Sequence, residues 1–230
     1  MYAIDFSGRH AQKMKKLLLI LFSGSLAFPA YCASGLRALS DWTPKGWKVI
    51  KEVTGDLNGD NIKDVVVIYE EDNPHNKKKN EGLGSNVINT NPRTIVVLLG
   101  ENGLYRKLAE NTGFIPPEGD EDNPCLADPL SDIKIQNNML KVTLSEWLSC
   151  GSWSVTRNTY TFRFDGKGMQ LIGRDESSFM RNSGEKNETS TNFLTGKRKS
   201  TTGLNEFGKS KPQTRWDSIK KEPLKYLENL

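Results

Sequence analysis

Histidine and cysteine are scarce in this chain: two histidines and three cysteines in 230 residues. His10 and Cys32 both fall before residue 34, so His75 alone remains for the body of the protein, in the polar stretch Asn73-Pro74-His75. A Ser-His-Asp or Cys-His site is thereby nearly excluded. Two cysteines and one histidine also fall short of the four N/S ligands of a structural zinc site. Glycine-rich phosphate loops are missing. Charge of one sign is not in excess: 32 Lys and Arg stand against 28 Asp and Glu, and without residues 1–33 the balance is 28 against 27. Near-neutrality gives no support to nucleic-acid binding. The stretch from Lys197 is locally basic, nine Lys and Arg against four acids, but its charges are interspersed as on a solvated face.

Long apolar runs are absent as well. The longest, Leu17 to Phe22, follows Lys15 and Lys16 and is broken at once by Ser23, Gly24 and Ser25. It is too short for the roughly 20 apolar residues of a spanning helix. A charged start, a short apolar run and the small-residue stretch Pro29-Ala30-Tyr31-Cys32-Ala33 form instead the pattern of a cleavable signal peptide. Residues before Met14 read as an upstream extension, and Tyr31 ahead of Cys32 disfavours a lipid anchor. The expectation is cleavage near residues 32–33, a periplasmic or extracellular location, no transmembrane segment after cleavage, and a single domain over 34–230. In an oxidising compartment Cys125 and Cys150 read as a disulfide, with two separate buried thiols as the alternative.

A sustained helical stripe is missing up to the last twenty residues, whereas period-2 patterning and β-branched runs abound. Fold class is therefore mainly β, an antiparallel sheet or sandwich with long polar loops. Trp47 to Val53 predicts a first strand. Asp64 to Tyr69, apolar on both faces, predicts a central strand covered on both sides. Arg93 to Leu99 follows a long polar segment, Glu70 to Pro92. Asn102-Gly103 and Asn137-Asn138 predict tight turns, the second joining Asp132–Gln136 to Met139–Leu144. In Trp153 to Phe164, Tyr160, Phe162 and Phe164 share one face, and Asp165 to Gly168 turns that strand into Met169 to Gly173. Asp175 to Glu188 reads as a mobile polar stretch. In the weakly patterned tail, Trp216, Ile219, Leu224, Tyr226 and Leu227 are the expected docking residues.

One constellation carries chemistry. In Gly55-Asp56-Leu57-Asn58-Gly59-Asp60-Asn61-Ile62-Lys63-Asp64, oxygen donors alternate at Asp56, Asn58, Asp60 and Asp64. A hard cation taking six to eight oxygens at about 2.3–2.6 Å is served by such a loop, with the Ile62 carbonyl as backbone ligand. Asn61 stands where glycine is usual, and Asn is the next best residue for a left-handed conformation. The twelfth position, a bidentate Glu in helix-loop-helix calcium sites, is Val67. These residues instead resemble the strand-loop-strand site of FG-GAP or VCBS-type repeats, closely over Val53 to Ile68. The resemblance implies a Ca2+ ion held between two strands of a propeller-blade-like unit. One loop of this kind cannot close a propeller, which needs at least about four blades. Gly151-Ser152-Trp153, Tyr160 to Phe164, Leu171 to Asp175 and Ser190 to Lys197, taken with the calcium loop, resemble an uncharacterised family of small exported bacterial proteins. That likeness implies export and hands over no activity.

The resulting expectation is an exported calcium-binding β module, not an enzyme, acting as a protein- or glycan-interaction domain of the cell envelope. A periplasmic inhibitor or immunity-type protein, or an envelope hydrolase using Glu118, Asp120, Glu121 or Asp122 with another acid as a carboxylate pair, is the alternative.

Overall fold

The computed structural model describes residues 35–220 and 223–230; the expected signal peptide lies outside them. Thirteen strands are found among the described residues, with only short 3₁₀ turns as helical structure. They are β1 (Trp47–Gly55), β2 (Asp64–Glu71), β3 (Lys77–Lys79), β4 (Val87–Asn89), β5 (Arg93–Glu101), β6 (Leu104–Thr112), β7 (Leu130–Gln136), β8 (Met139–Trp147), β9 (Ser154–Phe164), β10 (Met169–Met180), β11 (Glu185–Asn192), β12 (Lys197–Asn205) and β13 (Gln213–Ser218). All pairings are antiparallel. A four-stranded sheet runs β1-β2-β5-β6, a seven-stranded sheet runs β13 through β7 in reverse chain order, and β3 and β4 form a separate hairpin.

The two larger sheets share one core. Val66 and Ile68 of β2 and Ile95 and Val97 of β5 pack with Ile133, Leu140, Val142, Phe162, Met169 and Leu171 of the seven-stranded sheet. The alternate residues Val65, Val67, Tyr69, Val96 and Leu98 form a second cluster on the opposite face, beneath Leu39, Trp42, Trp47 and Tyr105. The N-terminal segment thus lids the outer face of the four-stranded sheet. This double cover is why β2 reads as an unbroken apolar run. The expected aromatic face of β9 is present: Tyr160, Phe162 and Phe164 all join the shared core, and Phe114 meets Tyr160 and Phe162 edge to face.

Turn chemistry fixes the registers. Asn137 and Asn138 adopt φ of 54° and 56°, the paired left-handed conformation of a two-residue hairpin turn, and β7 and β8 pair from Gln136↔Met139 outward. At the corner where β1 approaches β7, a Cβ on Gly55 would come within 2.5 Å of Ile135 Cγ2, so the entry to the acidic loop is packed to contact with the second sheet.

Three expectations are corrected. Asp175 to Glu188 is not a mobile stretch: β10 continues to Met180 and turns directly into β11. Its residues are mostly polar and lack apolar alternation, and the backbone ladders to β9 and β11 supply the order. The segment Glu70 to Pro92 contains the β3–β4 hairpin, with Asn80 Nδ2 donating to the carbonyls of Leu83 and Ser85 across its turn. In the tail, Leu227 docks fully, and Asn111 Nδ2 donates to its carbonyl at 2.6 Å. Trp216 instead lies on strand β13 and is 65 % exposed, and Leu224 is also exposed.

Candidate functional site

The acidic loop links β1 to β2, strands paired from Trp47↔Glu71 to Gly55↔Asp64. Its first ligand candidate opens the loop and its last begins the central buried strand. Local hydrogen bonds shape what lies between. Asp56 Oδ1 accepts from Gly59 N–H at 2.6 Å and Oδ2 from Asn61 N–H at 3.1 Å. Asn58 Oδ1 accepts from Asp60 N–H, Asp60 Oδ1 accepts from Ile62 N–H, and Asn58 Nδ2 donates to Asp60 Oδ2 at 2.8 Å. Each side chain closes a turn over its own backbone, as Asx residues do. Gly59 and Asn61 carry the positive φ that the coil requires, 83° and 64°.

Asp64 differs from the others. It is fully buried; its Oδ2 accepts from Leu57 N–H at 2.7 Å and its Oδ1 from Gly100 N–H at 2.9 Å. One carboxylate therefore ties the start of the loop to the end of β5. The approach there is close: a Cβ on Gly100 would lie 2.4 Å from the Lys63 carbonyl oxygen. From outside the loop, Asn138 Nδ2 donates to the Asp56 carbonyl at 2.9 Å, so the β7–β8 turn braces it.

Electrostatics separates the two ends of the loop. Desolvation acts to raise the Asp56 carboxyl, but backbone N–H groups led by Gly59 and Asn61 outweigh it and hold it below its ordinary value. Burial pushes the Asp64 carboxyl up, and the negative charges of Asp60 and Asp56 push the same way, against the hydrogen bonds from Gly100 and Leu57. Asp60 and Asp56 are thus close enough to act on the buried Asp64 carboxyl.

Among the described residues no three His, Cys, Asp or Glu side chains are grouped so as to hold a metal ion by themselves. The donor set expected from the sequence also counts the Asn58 amide oxygen and the Ile62 carbonyl. A carboxylate oxygen has two lone-pair positions, so the backbone N–H bonds to Asp56 and Asp64 leave further acceptor capacity on the same oxygens. An all-oxygen set without His or Cys fits a hard cation such as calcium.

The remaining sequence candidates are drawn into structural contacts. Glu118 Oε2 accepts from Asn89 Nδ2 at 2.9 Å, Glu121 pairs with Lys78, and Asp120 accepts from the Asp122 N–H and from Asn123 Nδ2. His75 is exposed on a surface 3₁₀ turn. Cys125 and Cys150 stand at disulfide distance, their Cα atoms 5.5 Å apart.

A buried polar network at the other end of β2 and β5 was not anticipated. Glu70 and Arg93 are directly opposite in register and both 2 % exposed. Arg93 Nε donates to Glu70 Oε2 at 2.9 Å, and its two terminal nitrogens grip Asp128 at 2.6 and 2.9 Å. Asn89 Nδ2 donates to Glu70 Oε1 at 3.0 Å and Lys48 approaches the same oxygen at 3.1 Å. The available signal was a pair of opposite charges, one closing and one opening consecutive apolar runs.

Burial would raise the Glu70 carboxyl, but hydrogen bonds from Arg93, Asn89 and Lys48 outweigh burial and hold it below its ordinary value. A carboxyl lowered by folding stabilises the protein above its unfolded pKa, about 4.3 for Glu, and that contribution is lost as pH falls through the lower folded value. The urea midpoint, measured in chelator, should therefore drop between about pH 5 and pH 3. A flat midpoint over that interval would contradict the assignment.

Comparison of the chain with family models, with curated proteins and with solved structures finds no significant match. The functional argument therefore rests on the loop and its surroundings.

Proposed function

We propose that this chain is an exported, calcium-binding β module of the cell envelope, a non-enzymatic domain that offers a protein or a glycan a surface. The carrying observation is the β1–β2 loop: alternating oxygen donors at Asp56, Asn58, Asp60 and Asp64, with Asp64 buried and raised partly by its acidic neighbours. Asp56, Asn58, Asp60 and Asp64 would hold calcium through side chains and Ile62 through its carbonyl, in the manner of a propeller-blade-like strand-loop-strand unit. When bound, the cation supplies charge neutralisation and rigidity and takes part in no reaction. Cys125 and Cys150 at bridging distance favour an oxidising compartment. The structural engagement of Glu118, Asp120 and Glu121 favours binding over carboxylate-pair hydrolysis.

A contact surface of the required character lies near the cysteine pair. The Arg181 guanidinium sits 5.0 Å from the Trp147 ring and 5.6 Å from the Trp153 ring, and donates to the carbonyls of Leu148 and Ser152. Trp153 is largely exposed. Tryptophan and arginine are the residues that most often anchor recognition surfaces, and this surface also suits the inhibitor or immunity-type reading.

A ligand that binds only the folded state stabilises it by RT ln(1 + [L]/Kd), about 2.7 kcal/mol at a hundred times Kd. Without a twelfth-position Glu the site should be weak, with Kd on the order of 0.1–1 mM. Millimolar calcium should raise the melting temperature, chelator should reverse the rise, and Asp60→Ala should abolish the response while the protein still folds. Calorimetry showing no heat of calcium binding at several millimolar would reduce the loop to a self-capped turn and remove the basis of the proposal.

A further inference from the structure

The seven-stranded sheet ends on β13, and among the described residues no strand pairs with the outer side of β13. Neither lysine nor proline interrupts its sequence, Gln213-Thr214-Arg215-Trp216-Asp217-Ser218; Pro212 and Lys220 stand beyond its ends. An open edge of this kind offers free N–H and C=O groups to any strand laid beside it. Which residues offer them follows from the pairing. Ile219 N–H donates to the Gly196 carbonyl at 2.9 Å, so Ile219 turns its backbone groups toward β12. These groups alternate along a strand, and the register from Lys197↔Ser218 to Thr202↔Gln213 runs without a bulge. Asp217, Arg215 and Gln213 therefore also turn toward β12, while Ser218, Trp216 and Thr214 turn toward the free edge. Thr214 Oγ1 lies 3.3 Å from Thr201 Oγ1, as close as expected of a pair that exchanges no backbone bonds.

The charges on this edge complement themselves. Arg215 and Asp217 share one face, where Arg215 Nε donates to Asp217 Oδ1 at 2.8 Å, and Trp216 stands exposed on the other. Laid antiparallel against a second copy with Trp216 opposite Trp216, the strand places Thr214 opposite Ser218. These are the outward-turned residues, so each such pair exchanges both backbone bonds. Arg215 falls opposite Asp217 of the copy, and Asp217 opposite Arg215, in the positions where side chains of facing strands come closest. The row from Arg198, which pairs with Asp217 in β12, through Asp217 to Arg215 of the copy alternates in sign. Lys220 falls opposite Pro212. The two adjacent registers of the same phase set Arg215 against Arg215 or Asp217 against Asp217, and like charges directly opposite are destabilising.

We propose that β13 is a dimerisation edge, on which a second copy of this chain pairs antiparallel about a twofold axis at Trp216 and joins the two seven-stranded sheets into one. Such an interface is isologous and closes on itself. A single short strand on each side gives a contact at the low end of specific interfaces, under about 1,200 Å², so the dimer is weak. It is independent of the acidic loop and needs no cation.

Sedimentation equilibrium of the purified protein in chelator, from about 10 µM to about 1 mM, should show a monomer–dimer equilibrium with Kd on the order of 100 µM. Arg215→Asp and Asp217→Arg should each weaken self-association by at least about tenfold, since each sets like charges opposite one another in both close pairs. An equimolar mixture of the two should associate as the wild type does, because each variant supplies the charge the other lacks. Loss of the pair within one strand would not be mended by mixing. Trp216→Pro removes an N–H that faces the free edge, a place where a strand tolerates proline, and should also weaken association at least about tenfold. A wild type that stays monomeric at about 1 mM, unchanged association in Trp216→Pro, or two folded charge variants that fail to associate when mixed would overturn the proposal.

Discussion

Replacing Arg93 by alanine is expected to lower the unfolding free energy by about 3–5 kcal/mol, the usual cost of leaving a buried charge unpaired. Glu70 is then left at the centre of the network without its main partner, and Asp128 loses a two-pronged contact. For a domain of this size each kcal/mol shifts the melting temperature by about 2–4 °C. The variant should therefore melt about 6–20 °C lower, a difference a thermal scan resolves easily. Glu70→Gln is not a mild change either. Both Glu70 oxygens face donors, Arg93 Nε on one side and Asn89 and Lys48 on the other. An amide must turn its own NH2 toward one of these, creating a buried donor facing a donor, which costs about 1–3 kcal/mol. An Arg93→Ala protein as stable as the wild type would mean that the pair is solvated in solution and the burial described here does not persist.

The second large effect is expected at the cysteines. Between β6 and β7 the chain runs through a long loop fastened to the end of β8 by a short ladder: Ser149 N–H to the Cys125 carbonyl and Ala127 N–H to the Trp147 carbonyl, at 2.8 and 2.9 Å. The β3–β4 hairpin leans on the same place, with Ser85 N–H donating to the Pro124 carbonyl at 3.0 Å. A Cβ on Gly84 would lie 2.2 Å from that carbonyl oxygen. Closing a loop of 25 residues in sequence separation restricts the unfolded chain by about 3.5 kcal/mol. The double variant Cys125→Ala/Cys150→Ala should lose about that much in denaturant titration, and reduction of the wild type should match it. Two thiols that alkylate freely in natively purified protein would show that no bridge forms.

Sequence patterning recovers the elements whose burial is written locally. β2 and β5 appear as β-branched runs because both of their faces are covered, and the Asn137-Asn138 turn appears because only a few residue types tolerate its two positive φ values. The acidic loop is legible for a related reason: its shape comes from side chains bonding to backbone within five residues. Strands β11, β12 and β13 leave no such trace. Glu185 to Asn192 is polar on both faces and Gln213 to Ser218 has Trp216 as its one apolar residue, so no alternation marks them, and their order comes from ladders to neighbours. The Glu70–Arg93 pair depends on strand register between distant segments. Composition cannot report that register.

The order of strands in the seven-stranded sheet has a kinetic consequence. Every neighbour in it is also the next strand in sequence, so each pairing closes only a short loop before its ladder begins to form. Loop closure is the entropic barrier that slows most β proteins. A meander meets it in small instalments, each hairpin serving as the template for the next. The contacts that must wait are those between segments far apart in sequence, above all Leu227 reaching Asn111 across 116 positions. Docking of the C-terminal turn should then be the last event in folding, so that a chain cut short before Leu227 would gain its sheets and fail only to seal them.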